Sequence, residues 1–238
     1  ACVDSQSRCL AQIAAGFRAV KAQLQEEPVA ISFAFPGPAD YPAGIIGDLP
    51  NFPAFRGGVA LGPFLEEQFG LPVFIQNDGA LFAYGEALAG ALPAVNARLA
   101  EAGSAKRYRN LLGVTLGTGF GGGVVINGEL LIGDNATGGC VWCFRNKKYP
   151  AMIAEESVSI RAVKRVYREL SGDTTALTPK EIFEIAEGLR PGNQLAAQQA
   201  FAELGEMAGD AIAMAITLVD GLVVIGGGLS GAAKYILP

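Results

Sequence analysis

Asp78 lies in the turn Gln76-Asn77-Asp78-Gly79, directly after the apolar run Pro72–Ile75. A carboxylate just beyond the end of a strand sits where ligands gather in open α/β sheets. There it can accept the proton of a substrate hydroxyl as that hydroxyl attacks phosphorus. The competing reading is an Asp that bonds its own turn backbone. A second candidate is Leu116-Gly117-Thr118-Gly119-Phe120-Gly121-Gly122-Gly123, with five glycines in seven residues. Such a chain can approach a ligand without Cβ clash and turn successive N–H groups toward an anion, and Thr118 adds a hydroxyl donor. The alternative is a bulge between two strands. A third is Gly226-Gly227-Gly228-Leu229-Ser230, whose glycines would admit a flat purine and ribose, or else form a tight strand-to-helix turn.

Three further groups are weaker. The loop Asp48-Leu49-Pro50-Asn51-Phe52-Pro53 has two prolines that pre-set its backbone, and Asn51 offers a donor and an acceptor to a sugar hydroxyl. Cys140 and Cys143 flank Val141-Trp142 in a C-x-x-C pair, which reads as half a zinc site, a redox pair or, more plainly, two packed thiols. Glu155 and Glu156 suit the first turn of a helix.

Composition narrows the chemistry. The chain has 238 residues, half of them hydrophobic, and no His, which removes Ser-His-Asp triads, His-based zinc sites and a His general base. Its net charge is −5 with no Lys/Arg-rich run, so a nucleic-acid groove is not expected. The four cysteines, Cys2, Cys9, Cys140 and Cys143, suggest no obvious disulfide framework, and a cytoplasmic, reduced setting is expected. No apolar run reaches the ~20 residues a membrane span needs, and the first residues do not read as a signal peptide.

The elements that must position these residues follow from periodicity. Ala11–Gln25 reads as an amphipathic helix with Ile13, Phe17, Val20 and Leu24 on one face. Val29–Phe35 is a strand broken by Pro36-Gly37-Pro38, and Gly58–Phe69 a short helix. A helical stretch from Ala80 should break near Pro93. Leu111–Leu116 and Val124–Ile126 are strands around the Gly-rich loop, and Asn127-Gly128 signals a type I′ hairpin into Glu129–Ile132. Because that loop sits in an antiparallel meander and leads into no helix, it is neither a Rossmann fingerprint nor a P-loop. Glu155–Leu170, Pro179–Gly188 and Gln194–Leu218 read as helices, and Leu222–Ile225 as a buried strand. The class is α/β.

The order Pro50-Asn51, Asn77-Asp78-Gly79, Gly117–Gly123 and Ile225-Gly226-Gly227-Gly228 resembles the sugar loop, catalytic turn, second phosphate loop and adenosine loop of ROK (repressor, ORF, kinase) sugar kinases, over residues 29 to 231. The resemblance implies a two-lobed actin-like ATPase (ribonuclease H-like) fold with mixed sheets. An N-terminal lobe would span 1–100 and a C-terminal lobe 101–238. It implies ATP and Mg²⁺ as cofactors, a hexose or amino-hexose as substrate, a homodimer, and no nucleic acid or membrane partner. Asp78 would be the general base. Gly37, Asn51, Asn77 and Cys140 would meet the sugar, Gly117, Thr118 and Gly119 the phosphates, and Gly227 and Gly228 the nucleotide.

The chain departs from the family pattern in places. No Asp-x-Gly-Gly-Thr phosphate loop precedes Val29, and the C-terminal lobe stops soon after the adenosine loop. Cys140 and Cys143 stand where the family has Glu and His, and its Cys-rich zinc motif is missing. Two readings follow: a glucokinase-like hexose kinase, and a non-catalytic sugar- or nucleotide-binding relative.

Overall fold

The computed structural model describes residues 5–49 and 52–237. The chain forms two compact units, 1–78 and 79–238.

In the first unit, α1 (Gln6–Lys21) starts earlier than its apolar face suggested because Ser5 caps it, accepting from the Arg8 N–H. Cys9 and Ala14 are its buried residues. Phe17 packs 5.1 Å from the Phe33 ring and 6.2 Å from that of Phe69. Val20 and Leu24, expected on the same inward face, are 56% and 49% exposed. Cys9 is disulfide-bonded, which corrects the expectation drawn from cysteine spacing.

Strand β1 (Ile31–Ala34) runs into the cis Gly37–Pro38 bond. It is followed by the meander β2 (Ala39–Asp40), β3 (Ile45–Ile46) and β4 (Val59–Ala60). Helix α2 (Leu61–Phe69) buries Leu61 and Leu65 and ends on Gly70 in the left-handed conformation, whose N–H returns to the Glu66 carbonyl. Strand β5 (Val73–Gln76) then pairs in parallel with β1, Ala34 opposite Gln76.

Helix α3 (Asp78–Leu88) begins at the last residue of the first unit and continues into the second. The expected break near Pro93 falls at Gly90. The Glu86 carboxylate accepts the Ala91 N–H at 2.8 Å to start α4 (Ala91–Glu101), and Pro93 lies in its first turn, where no helical N–H is lost. Helices α3 and α4 pack with the second unit, so the contact boundary lies at Asp78–Gly79 and not near residue 100.

The second unit is built on a four-stranded sheet. Strands β6 (Leu111–Leu116), β7 (Phe120–Ile126) and β8 (Glu129–Leu130) form the expected antiparallel meander. Asn127 and Gly128 are both at positive φ, as a type I′ turn requires. Helices α5 (Ile160–Ser171), α6 (Pro179–Ala186) and α7 (Gln194–Val219) follow. Strand β9 (Leu222–Gly226) then inserts parallel to β6, giving the order β8-β7-β6-β9, and α8 (Ala233–Ile236) ends the described chain.

Alternation along β6 sorts its two faces. Leu112, Val114 and Leu116 enter the large core with α5, α6 and α7, while Leu111 joins Ala83, Ala87 and Leu92 beneath α3 and α4. Gly113 and Gly123 belong to that second face. A Cβ on Gly113 would lie 2.8 Å from the Ala83 Cα, and one on Gly123 2.7 Å from the Ala80 Cα. The glycines therefore form a floor on which the backbone of α3 rests.

The floor predicts opposite signs for two Gly→Ala changes. Gly123→Ala should destabilise by about 1–3 kcal/mol through overpacking. Gly209→Ala, on an exposed helical turn with nothing within 4 Å of the new methyl, should stabilise by about 0.5–1 kcal/mol. Urea midpoints of the two variants shifting the same way would refute this assignment of the glycines.

Candidate active site

Within the first unit, the parallel pairing of β1 and β5 brings two expected site segments out side by side. The Phe35 N–H donates to the Gln76 carbonyl at 2.9 Å, one step past the last paired residues. Gly37 follows on one chain, and Asn77 and Asp78 on the other. This is the carboxyl edge of a parallel pair, the usual ligand-facing edge. Gly37 is held there by Tyr41, whose hydroxyl donates to the Phe35 carbonyl at 3.1 Å and lies 2.8 Å from where a Gly37 Cβ would be.

Asn51 and Pro50 lie outside the described residues. Their flanks are fixed, however. Asp48 accepts the Gly57 N–H at 3.1 Å and pairs with Arg56 at 2.9 Å, and the Phe52 and Phe55 rings pack 6.3 and 5.0 Å from that of Phe35. Asp78 is exposed at the first position of α3.

In the second unit the Gly-rich loop is shorter than its sequence suggested. Only Gly117, Thr118 and Gly119 lie between strands; Gly121, Gly122 and Gly123 belong to β7. Their missing side chains make room for neighbours and not for a ligand. The Thr115 hydroxyl fills the place a Cβ at Gly121 would need, and Val141 lies 2.7 Å from one at Gly122.

The true loop is held from both ends. The Gly117 N–H donates to the Gly119 carbonyl at 3.0 Å, and its carbonyl accepts the Ile160 N–H at 2.8 Å. The Glu155 carboxylate accepts the Phe120 N–H at 3.1 Å. Arg161 pairs with Glu155 at 3.1 Å and Glu156 at 2.8 Å, and reaches the Thr118 carbonyl at 3.4 Å. Glu156, then Glu155, holds the Arg161 guanidinium above its ordinary pKa, against the opposing effect of burial.

These contacts explain a difference from the helix expected at Glu155–Leu170. Glu155 is drawn into a 3₁₀ turn, Ala154–Glu156, and α5 starts at Ile160. Loop residues thus reach the strand end through a carboxylate that helical spacing alone could not reveal.

The Gly226–Gly228 segment arrives beside this loop. Strand β9 pairs in parallel with β6 up to Thr115 opposite Gly226. Gly227, at φ +87°, would set a Cβ 2.6 Å from the Leu116 nitrogen. The Ser230 hydroxyl donates to the Gly227 carbonyl at 2.7 Å, closing the turn. Next to it, Gly228, Leu229, Pro179, Lys180, Phe183 and Phe201 line a cavity of about 320 Å³. Pro179, Lys180 and Phe183 were not singled out from sequence; they lie on a helix remote in the chain, and only the capping box Thr178–Glu181 marks it.

Cys140 precedes a 3₁₀ turn, Val141–Cys143, that packs on β7. Burial pushes the Cys140 thiol above its ordinary pKa, the Trp142 side-chain hydrogen bond opposes this, and the neighbouring Cys143 adds to the rise. Cys140 and Cys143 are free thiols. Among the described residues no group of three or more His, Cys, Asp or Glu could hold a metal ion, and no helix is long and apolar enough to cross a membrane.

The profile of the ROK family matches residues 5–238. The chain belongs to the ROK family. Its fold is the actin-like ATPase (ribonuclease H-like) fold. A crystal structure of a glucokinase from Parabacteroides distasonis superposes at a TM-score of 0.92 and is 76% identical, over all of this chain and 67% of that one. A glucokinase from Thermotoga maritima is 28% identical over 235 residues, 89% of this chain and 67% of its own. A ROK glucokinase from Streptomyces griseus, solved with glucose and AMPPNP, is alike in fold at a TM-score of 0.70 and 23% identity, over 95% of this chain and 74% of that one. The ROK chain described here thus spans about two thirds of the length of the Parabacteroides and Thermotoga glucokinases and is glucokinase-like in sequence and fold.

The Glu155 contact separates hydrogen bonding from charge. Glu155→Ala strands the N–H of buried Phe120 and should cost about 1–3 kcal/mol. Glu155→Gln keeps an acceptor and gives up only a half-exposed ion pair, so it should cost less than about 1 kcal/mol. Equal losses in urea unfolding would show that the carboxylate charge matters, not the Phe120 bond.

Proposed function

We propose that this ROK chain carries the catalytic machinery of an ATP-dependent hexose kinase of glucokinase type. The observation that carries the reading is the parallel pairing of β6 and β9. It delivers Gly117–Gly119 and Gly226–Gly228 at the same sheet edge, beside a cavity of about 320 Å³. A nucleotide needs such a pairing: backbone that its phosphates can approach, and an adjoining apolar slot for the base. Phe183 and Leu229 supply apolar surface to that slot, and Lys180 a cation at its rim. The residues present fit ATP on these grounds.

In this reading Gly227 and Gly228 line the nucleoside, and Gly117, Thr118 and Gly119 hold its phosphates. Mg²⁺, when bound with the nucleotide, would supply neutralisation of charge on the phosphate oxygens, and it would need one or two carboxylates and not a protein cage. Gly37, Asn51, Asn77 and Cys140 contact the hexose, with glucose the first candidate and amino-hexoses the next. Cys140, kept as a thiol by its raised pKa, offers a weak S–H donor. Asp78 accepts the proton of the attacking hydroxyl, and the loop's fixed dipoles favour the charge that builds on the transferring group. The place of Asp78 just past the carboxyl edge of the β1–β5 pair supports it as the base. A cytoplasmic homodimer acting on neither membranes nor nucleic acid belongs to the same proposal.

The test is ADP release coupled to a hexose panel, beside calorimetry of sugar binding. Asp78→Asn should lower kcat by roughly 10²–10⁴ and change the sugar Kd by no more than about twofold. Turnover close to that of the parent would remove Asp78 from the role of base. Sugar and ATP binding by the parent with no ADP release would favour the non-catalytic alternative.

A further inference from the structure

The Cys140–Cys143 pair has a geometry that neither a sugar contact nor simple packing requires. The two residues bracket a single 3₁₀ turn, with the Cys143 N–H donating to the Cys140 carbonyl at 3.4 Å and the Cys143 Sγ–H to the same oxygen at 2.9 Å. In a 3₁₀ turn, residues three apart eclipse one another at a rise of about 6 Å. That lies inside the Cα separation of about 4.4–6.8 Å that a disulfide tolerates.

Both thiols are reduced, Cys143 is exposed and Cys140 half-buried. The turn is also immobilised. Val141 is buried against Gly122, and Gly139, at φ +80°, would place a Cβ 2.7 Å from the Gly123 Cα. Beyond it, buried Asn146 donates to the Ile153 carbonyl at 3.1 Å and the Ser157 hydroxyl at 2.8 Å, and accepts the Lys148 and Tyr149 N–H groups. The Cys143 sulfur is turned back onto the Cys140 carbonyl and the turn that carries both residues is rigid, so closing a ring across it orders little backbone that is not already ordered.

We infer that Cys140 and Cys143 form a redox-active vicinal dithiol, closed reversibly to a disulfide by low-molecular-weight disulfides. The inference does not rest on the kinase reading. The Cys143 thiolate attacks one sulfur of the incoming disulfide, whose S–S bond breaks and whose other half leaves as a thiol. Cys140, on losing its proton, then attacks the Cys143 sulfur and expels the second thiol. Two electrons pass from the protein pair to the small disulfide, and two small thiols are released. The order follows from access: Cys143 faces solvent, while burial and the nearby Cys143 hold Cys140 as a thiol until the second step.

The sequence supplies two clean readouts. Trypsin releases residues 110–145 as one peptide containing these two cysteines and no other. Trp142, the only tryptophan of the chain, lies between them and its side chain bonds Cys140, so its fluorescence reports the state of the pair.

The full chain is equilibrated with graded ratios of glutathione to glutathione disulfide, its remaining thiols are alkylated, and the peptide is weighed. The expected result is one transition to a peptide two hydrogens lighter with no alkylated cysteine, reversed by dithiothreitol and matched by a fall in Trp142 fluorescence. In the reduced protein, phenylarsine oxide should protect both cysteines from alkylation together. Cys143→Ser should abolish both the internal disulfide and the arsenical protection while leaving the far-ultraviolet circular dichroism unchanged. A peptide that stays doubly alkylated at every ratio, or that takes up two glutathiones without closing, would overturn the inference. So would arsenical protection that survives in Cys143→Ser.

Discussion

The close approach of α3 to a floor of glycines is the contact on which the second unit's arrangement depends. Gly113 and Gly123 bring the Cα atoms of Ala83 and Ala80 to within reach of strand backbone, closer than any side chain would allow. Dispersion falls off steeply with distance, so the tight seat compensates for the small apolar area these residues bury. The same seat fixes where α3 begins. Because its first residue is Asp78, helix packing helps set the position of the candidate base along the chain.

The candidate phosphate loop is governed by a different force. Three residues, Gly117–Gly119, are tied by the Ile160 N–H, the Glu155 carboxylate and the Arg161 guanidinium, all from the segment that follows the C-x-x-C turn. Arg161 also offsets the charge that Glu155 and Glu156 would otherwise bring near this loop. A loop held this way needs little reordering when a ligand arrives, which is the property electrostatic stabilisation of a developing charge requires.

Much of this was legible in the chain. The strand bounds of β6, the type I′ hairpin at Asn127-Gly128 and the long α7 follow from period and turn chemistry, because local rules decide them. Helix starts were less legible. That of α1 depends on Ser5, and that of α5 is overridden by tertiary bonds to Glu155 and Ile160 that lie more than thirty residues from their partners. The run Gly117–Gly123 read as one ligand loop because glycine serves two purposes that sequence does not separate. Three residues form the loop, and Gly121, Gly122 and Gly123 are clearance for packing. The cavity at Phe183 was hidden for a related reason: its walls come from distant segments that only the completed sheet brings together.

The position of β9 has a consequence for how the protein is made. Strand β6 has β7 on one side from the start, through a three-residue connection, but its other neighbour, β9, comes only after α5, α6 and α7. Until that strand emerges from the ribosome, the backbone of β6 on that side has no sheet partner. The large core therefore assembles late and by non-local contacts, the slow route for any sheet. An edge left without its partner over that interval is the kind that pairs with the wrong chain, so the order of assembly bears on aggregation.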